Sequence, residues 1–209
     1  MKWFAALAAV VLAICGWNYA HRPLTYPAGI LISADPQQTV TAAAPIMRGD
    51  YQLKPLAHFA IDARVLHRKV YGWDRQSDLV PVDLALGWGA MSDQRVLDQL
   101  TITQSMRFYW FEYKLPPPIS KDEIIAHSTN VHVIPATPEI ASRCKSLRTG
   151  ELIRLNGELV EAKQSNGATW RSSLSRTDTG NGACELMLVQ ELSNLDADSL
   201  TTRKALVSR

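Results

Sequence analysis

From Ala57 onward the chain alternates, with Ala57, Phe59, Ile61, Ala63 and Val65 set against His58, Asp62 and Arg64. A period of two predicts a strand with one buried face. Residues 103–113 predict a second, aromatic strand. Phe108 and Trp110 fall on one side of it, with Tyr109, Phe111 and Tyr113 on the other, before Pro116-Pro117-Pro118 stops it. Between these two strands, residues 71–91 read as repeated turns. There Gly87-Trp88-Gly89 lays an indole on the body, and Ser92 is placed to cap a short helix through Val96, Leu97 and Leu100.

Ser120-Lys121-Asp122-Glu123 is a capping box and predicts a helix of about two turns. Asn130 to Ile134 reads as a short strand. Thr137-Pro138 opens another helix that stops at Gly150, its apolar face being Ile140, Cys144 and Leu147. Further on, Ile153, Leu155, Gly157 and Leu159 share a face until Val160 and Ala162 take over. That phase change beside Gly157 predicts a bulge or sharp coil. Asn166-Gly167 predicts a hairpin turn. Trp170 and Leu174 then lie on one face of a strand, and Cys184, Leu186 and Leu188 on one face of the last.

Strands interleaved with short helices predict an α+β fold. Its expected form is a small, partly open β-barrel like the oligonucleotide/oligosaccharide-binding (OB) fold, spanning residues 56–192 and followed by a loose polar tail, 193–209. Ahead of it, an uncharged apolar run from Trp3 to Trp17 predicts an N-terminal hydrophobic helix within residues 1–20. As an uncleaved anchor this segment would hold the chain to the membrane through residues 3–20. The alternatives are a cleaved signal peptide releasing a secreted protein, or a lipoprotein signal ending at Cys15. Residues 21–55, punctuated by Pro23, Pro27, Pro36, Pro45 and Pro55, are expected to form an extended tether. The resulting layout is a single-pass inner-membrane protein with its globular domain in the periplasm.

Composition adds little. A formal charge of +2 with no basic block longer than Arg68-Lys69 gives no polybasic surface. Nucleic acid is therefore not expected as a partner, even though the aromatic strand could stack bases. His127 and His132, without further ligands at metal-site spacing, predict no metal or cofactor.

Cys144 and Cys184 both point toward a core. In an oxidising compartment they would form a disulfide closing a loop of about 40 residues, worth about 3–4 kcal/mol. Two separate buried thiols are the alternative. Asp178-Thr179-Gly180 matches the aspartic-protease triplet, but occurs once and reads as a turn. His127, Ser128, Asn130 and His132 form a polar stretch that Asp83, Arg176 and Asp178 could join from other loops. Candidate binding residues are Asn130, His132, Arg176, Asp178 and Trp88.

Pro81-Val82-Asp83-Leu84-Ala85-Leu86-Gly87-Trp88-Gly89-Ala90-Met91-Ser92-Asp93, Ser128-Thr129-Asn130-Val131-His132, and Trp170-Arg171-Ser172-Ser173-Leu174-Ser175-Arg176 leading to Gly182-Ala183-Cys184-Glu185 carry a resemblance. Over roughly residues 55–192 the chain resembles a bacterial family of membrane-anchored proteins with no assigned activity. The resemblance implies an address and no chemistry. Three functions are consistent with the sequence. The first is an exported, non-enzymatic module recognising a protein, peptide or glycan. The second is a hydrolase using His132 or His127 with Asp178 or Cys184, and the third a structural component of a membrane assembly.

Overall fold

A computed structural model describes residues 22–175 and 183–197, together with Leu7, Val10, Val11, Leu12, Cys15, Gly16 and Tyr19. Its architecture is mixed α+β, mostly sheet with a few short helices, as the sequence predicts. The central element is β3, Tyr51–Val70, a strand of 20 residues. Its inward side chains are the alternating set Ala57, Phe59, Ile61, Ala63 and Val65, all within the main core cluster.

One strand this long serves two neighbours. Residues 51–64 of β3 pair antiparallel with β8, Leu152–Gln164, and residues 64–70 pair antiparallel with β4, Val82–Gly87. Register shifts at Pro55/Ala57 and at Val65/His67 bend β3 between these partners. Pro55 has no amide to donate, so an irregularity beside it costs the ladder little. β4 pairs antiparallel with β7, Ser128–Pro135. β7 pairs parallel with β10, Glu185–Asn194, and β10 pairs antiparallel with β8. These pairings close a ring in the order β3-β4-β7-β10-β8 and back to β3. Three short strands add to it: β1, Gln37–Val40, and β2, Ile46–Arg48, both on β3, and β9, Thr169–Arg171, on β8.

The ring encloses Leu84 and Leu86 from β4, Val131 and Val133 from β7, Leu155 and Leu159 from β8, and Met187 and Val189 from β10. The parallel step from β7 to β10 needs an intervening connection. The first part of it, α3, Pro138–Ser146, is capped by Thr137 and packs Cys144 against this core, with Leu147 following. Gly157 lies where β8 meets an irregularity of β10, between Val189 and Glu191. A Cβ there would sit 2.0 Å from the Leu188 carbonyl oxygen, so the close approach of two backbones demands glycine. The predicted phase change is present too: Leu155 and Leu159 face the ring core, whereas Val160 and Ala162 join a second cluster with Leu186 and Leu188.

Several expectations are corrected. Within residues 22–55, residues 24–32 dock on the body and residues 37–40 and 46–48 pair with β3. Leu24 N–H donates to Thr149 C=O, and a Cβ on Gly150 would meet the Leu24 oxygen at 2.0 Å. The Leu31 and Ile32 amides both donate to Ser92 Oγ, and Gly29 N–H donates to Asp93. Buried Arg64 donates to Leu24 C=O, Ser92 C=O and Gln94 Oε1, and its guanidinium lies 5.0 Å from the Tyr26 ring. Docking residue by residue onto such partners leaves no periodicity to read, and Ile32 enters the main core.

Ser92 therefore receives this stretch, while Asp93 caps the short helix α1, Gln94–Leu97. Hydrogen bonds from the Arg95 side chain, then from the Gly29 and Arg95 amides, hold the Asp93 carboxyl down at about 2. β4 replaces part of the expected turns, and residues 103–113 belong to a hairpin. At the C-terminal end β10 runs to Asn194, and Leu195 and Ala197 pack on the core. The expected N-terminal hydrophobic helix is not supported: among the described residues no helix is long and apolar enough to cross a membrane.

Gly157→Ala is expected to lower unfolding stability by about 2 kcal/mol, as forced overpacking does. Gly72→Ala, with open space around it, should stay within about 0.5 kcal/mol, as surface substitutions do. Urea denaturation of the two variants beside the parent checks both values.

Candidate functional site: an aromatic cleft over a buried carboxylate

The connection from β4 to β7 carries a hairpin, β5, Leu100–Ser105, with β6, Phe108–Tyr113. Its two-residue turn, Met106-Arg107, has φ of 49° and 68°, the left-handed pair that tight antiparallel hairpins require. Neither residue is the Gly or Asn that usually signals such a turn. What holds Arg107 in this conformation is its side chain. It donates through Nη1 to Asp83 Oδ1 at 3.1 Å and to Val80 C=O at 2.9 Å, and through Nη2 to both carboxylate oxygens of Asp74. The guanidinium also covers the Tyr71 ring at 3.6 Å, a cation–π contact.

Asp83 has no exposed surface. It is the register partner of His132 across β4 and β7, and His132 Nδ1 donates to Asp83 Oδ1 at 2.9 Å. A buried carboxylate is tolerated when charged or polar donors reach it; here a guanidinium and an imidazole both reach Oδ1, while Oδ2 is buried without a hydrogen-bond partner among the described residues. Trp170 covers the imidazole, with ring centroids 4.7 Å apart. Burial pushes the Tyr71 hydroxyl up to about 12, and the Asp83 charge pushes it the same way, so the phenol stays protonated.

A second chain of polar contacts runs beside this one. His67 Nδ1 meets Gln104 Oε1 at 2.9 Å, and Gln104 Nε2 donates to Asn130 Oδ1. Asn130 Nδ2 donates to Arg107 C=O at 3.2 Å and lies 3.6 Å from Cys184 Sγ. At the ends of β7 and β10, Thr129 Oγ1 donates to Glu185. On the other side of the hairpin, Tyr109, Phe111 and Tyr113 pack on a third cluster with Leu66, Ala85, Met91 and Ile124. Burial pushes the Tyr109 hydroxyl up to about 12, and the group lies 3.3 Å from Ser128 Oγ.

Between β6 and the ring lies a cleft of about 740 Å³. Residues 108–113 form one wall and Lys121 and Ile125 of α2, Lys121–Ala126, a second. Ser128, Thr129 and Asn130 from β7, with Ala183, Cys184 and Glu185 leading into β10, form the floor. Trp110 is 53% exposed and its ring centroid is 6.1 Å from that of Phe108. An apolar wall over a few convergent polar groups is the usual make-up of a ligand site.

Of the residues singled out from sequence, the structure brings Asn130, His132, Asp83 and Cys184 to one side of the ring, with Asn130 and Cys184 on the cleft itself. Trp88 belongs to the core, 2% exposed, and donates its indole N–H to Asp35. His127 ends α2 and packs beside Gly89. Arg176 and Asp178 lie outside the described residues.

Cys144 and Cys184, considered as a disulfide pair, are not bridged to each other. Cys144 sits in the main core, where burial raises its thiol to about 12, and Cys184 lies on the cleft floor. Among the described residues, no group of three or more His, Cys, Asp or Glu side chains converges to hold a metal ion. Gln104, Arg107, Tyr71 and Trp170 are the site residues that sequence reasoning did not single out. Polarity does not mirror about Met106-Arg107, since Ser105, Gln104 and Thr103 face Phe108, Tyr109 and Trp110, so no sequence pattern marked the first two. No protein-family model and no curated protein matches this chain.

Removing the guanidinium leaves the Asp83 carboxylate buried beside a single imidazole. Arg107→Met should therefore cost about 3 kcal/mol, and Asp83→Asn in the same chain should return part of that loss. A double-mutant cycle in urea checks the sign of the coupling.

Proposed function

We propose that this protein is an exported, non-enzymatic binding module, held at the periplasmic side of the inner membrane by residues 3–20, that takes a protein, peptide or glycan ligand into the cleft beside β6. The observation that carries this reading is the cleft itself. Its aromatic wall stands over polar groups that are already hydrogen-bonded to one another, so the site is organised before a ligand arrives.

The strand order supports taking the ring as a small OB-like barrel. Four strands close on a long bent first strand, the third and fifth in chain order run parallel, and a helix joins the third to the fourth. In that fold the outer face of the second and third strands, here β4 and β7, is the usual ligand face. The β5–β6 hairpin lies over it in this chain, which moves the open site to the hairpin's edge.

A hydrolytic reading has less support. His132 is 3% exposed, bonded to Asp83 and covered by Trp170, and Cys184 Sγ lies 3.6 Å from the Asn130 amide and 4.0 Å from the Arg107 carbonyl. General acid–base work needs a group that reaches the substrate.

In detergent, the full-length chain titrated with short peptides and linear oligosaccharides is expected to bind one class. NMR shifts should concentrate at residues 108–113, 128–130 and 183–185, and Trp110→Ala should weaken binding about tenfold, as loss of an aromatic anchor does. Shifts scattered elsewhere would count against the cleft. The export reading is checked separately by a reporter fused after Arg209, which should be active in the periplasm; activity confined to the cytoplasm refutes it.

A further inference from the structure

The two-residue turn dictates which way the main chain of β6 points. Ser105 and Phe108 are the hydrogen-bonded pair beside the turn, so Phe108, Trp110 and Glu112 bond to β5. The alternate residues Tyr109, Phe111 and Tyr113 direct their N–H and C=O groups away from β5. Among the described residues the sheet formed by β5 and β6 has two strands, so this is an edge. It opens on the cleft, because all of residues 108–113 line that space.

Asn130 gives an independent check on this direction. Its side-chain amide donates to Arg107 C=O, which has the same parity as Tyr109 and is the first acceptor on that edge. The ring thus already satisfies the first acceptor from across the cleft, and the main-chain groups of three further residues follow it along the strand.

We infer that the ligand of this cleft is an extended polypeptide segment that adds to β6 as a third strand. This rests on the binding-module reading above and names the ligand class within it. A row of main-chain donors and acceptors recurring every second residue is matched by another backbone in the same repeat. A glycan has no such repeat of amides. The three open positions span about 14 Å of strand, which suits a segment of five or six residues. Side chains of the added strand would alternate between the Phe108–Trp110 surface, which favours aromatic and β-branched partners, and the side that Ser128, Thr129 and Ile125 line. A second copy of this chain is a poorer occupant. The edge sits inside a cleft walled by Lys121 and Ile125 and floored by Cys184 and Glu185, which admits one extended chain and not a second hairpin with its own sheet.

The test uses the full-length chain in detergent and a set of acetylated, amidated hexapeptides alternating Val, Ile or Tyr with Thr or Lys. For a peptide that binds, two N-methylated versions are made, methylated at odd or at even residues. Strand addition is expected to cost one version at least tenfold in affinity and to spare the other, because only alternate amides face β6. Amide hydrogen exchange should slow at Tyr109, Phe111 and Tyr113 in the same complex. Equal binding by the two methylated versions overturns strand addition. Linear hexasaccharides that bind the cleft while all peptides fail also overturn it, and leave the binding-module reading standing. Failure of both classes against a folded chain removes both readings. A dimer that pairs β6 with β6 and excludes the peptides assigns the edge to a second copy, and strand addition by a ligand is then wrong.

Discussion

A carboxylate with no exposed surface is the constraint around which the site is built. Asp83 sits on β4, where both faces of the strand are covered, and a charge there is stable only if donors come to it. His132 comes from the neighbouring strand by register alone. Arg107 comes from a hairpin turn with left-handed backbone, and Asp74 and Tyr71 come from the β3–β4 loop, the first bonded to Nη2 and the second under the guanidinium plane. Two connections that would otherwise move independently over the ring are thereby tied to one carboxylate.

The same tie explains why the cleft has a defined shape. β6 packs its Tyr109, Phe111 and Tyr113 side chains on the ring, but two apolar contact surfaces alone could slide past each other. Arg107 pins one end of the hairpin, and the relay His67–Gln104–Asn130 adds directional hydrogen bonds along it. Directional hydrogen bonds in a buried network rigidify and position the elements they join. Here what they position is the edge of β6 relative to β7 and β10.

Much of the ring was legible from the sequence. The alternation around Phe59, the cap at Ser120, the Thr137-Pro138 start and the phase change at Gly157 all appear in the structure where period and turn chemistry put them. β4 was not legible because Val82–Gly87 is buried on both sides, and alternation vanishes when neither face meets water. The hairpin was hidden because Met106-Arg107 lacks the usual turn residues, its conformation being enforced by contacts far away in sequence. Half of the candidate site follows from this. Asn130 and His132 could be named from their strand, whereas Gln104 and Arg107 could be placed beside them only after the turn was known.

If residues 3–20 anchor the chain as proposed, the docking that begins at Leu24 limits how the body can stand on a bilayer. Packing begins at Leu24, whose amide and carbonyl are both engaged by the body. An anchor ending at residue 20 would leave only residues 21–23 free, roughly 10 Å of chain at full stretch. A domain so anchored would not swing on a leash. It would ride against the lipid surface with its orientation restricted, and sample a thin layer of the periplasm one domain deep. Whatever enters the cleft would then be met at the membrane rather than far out in solution.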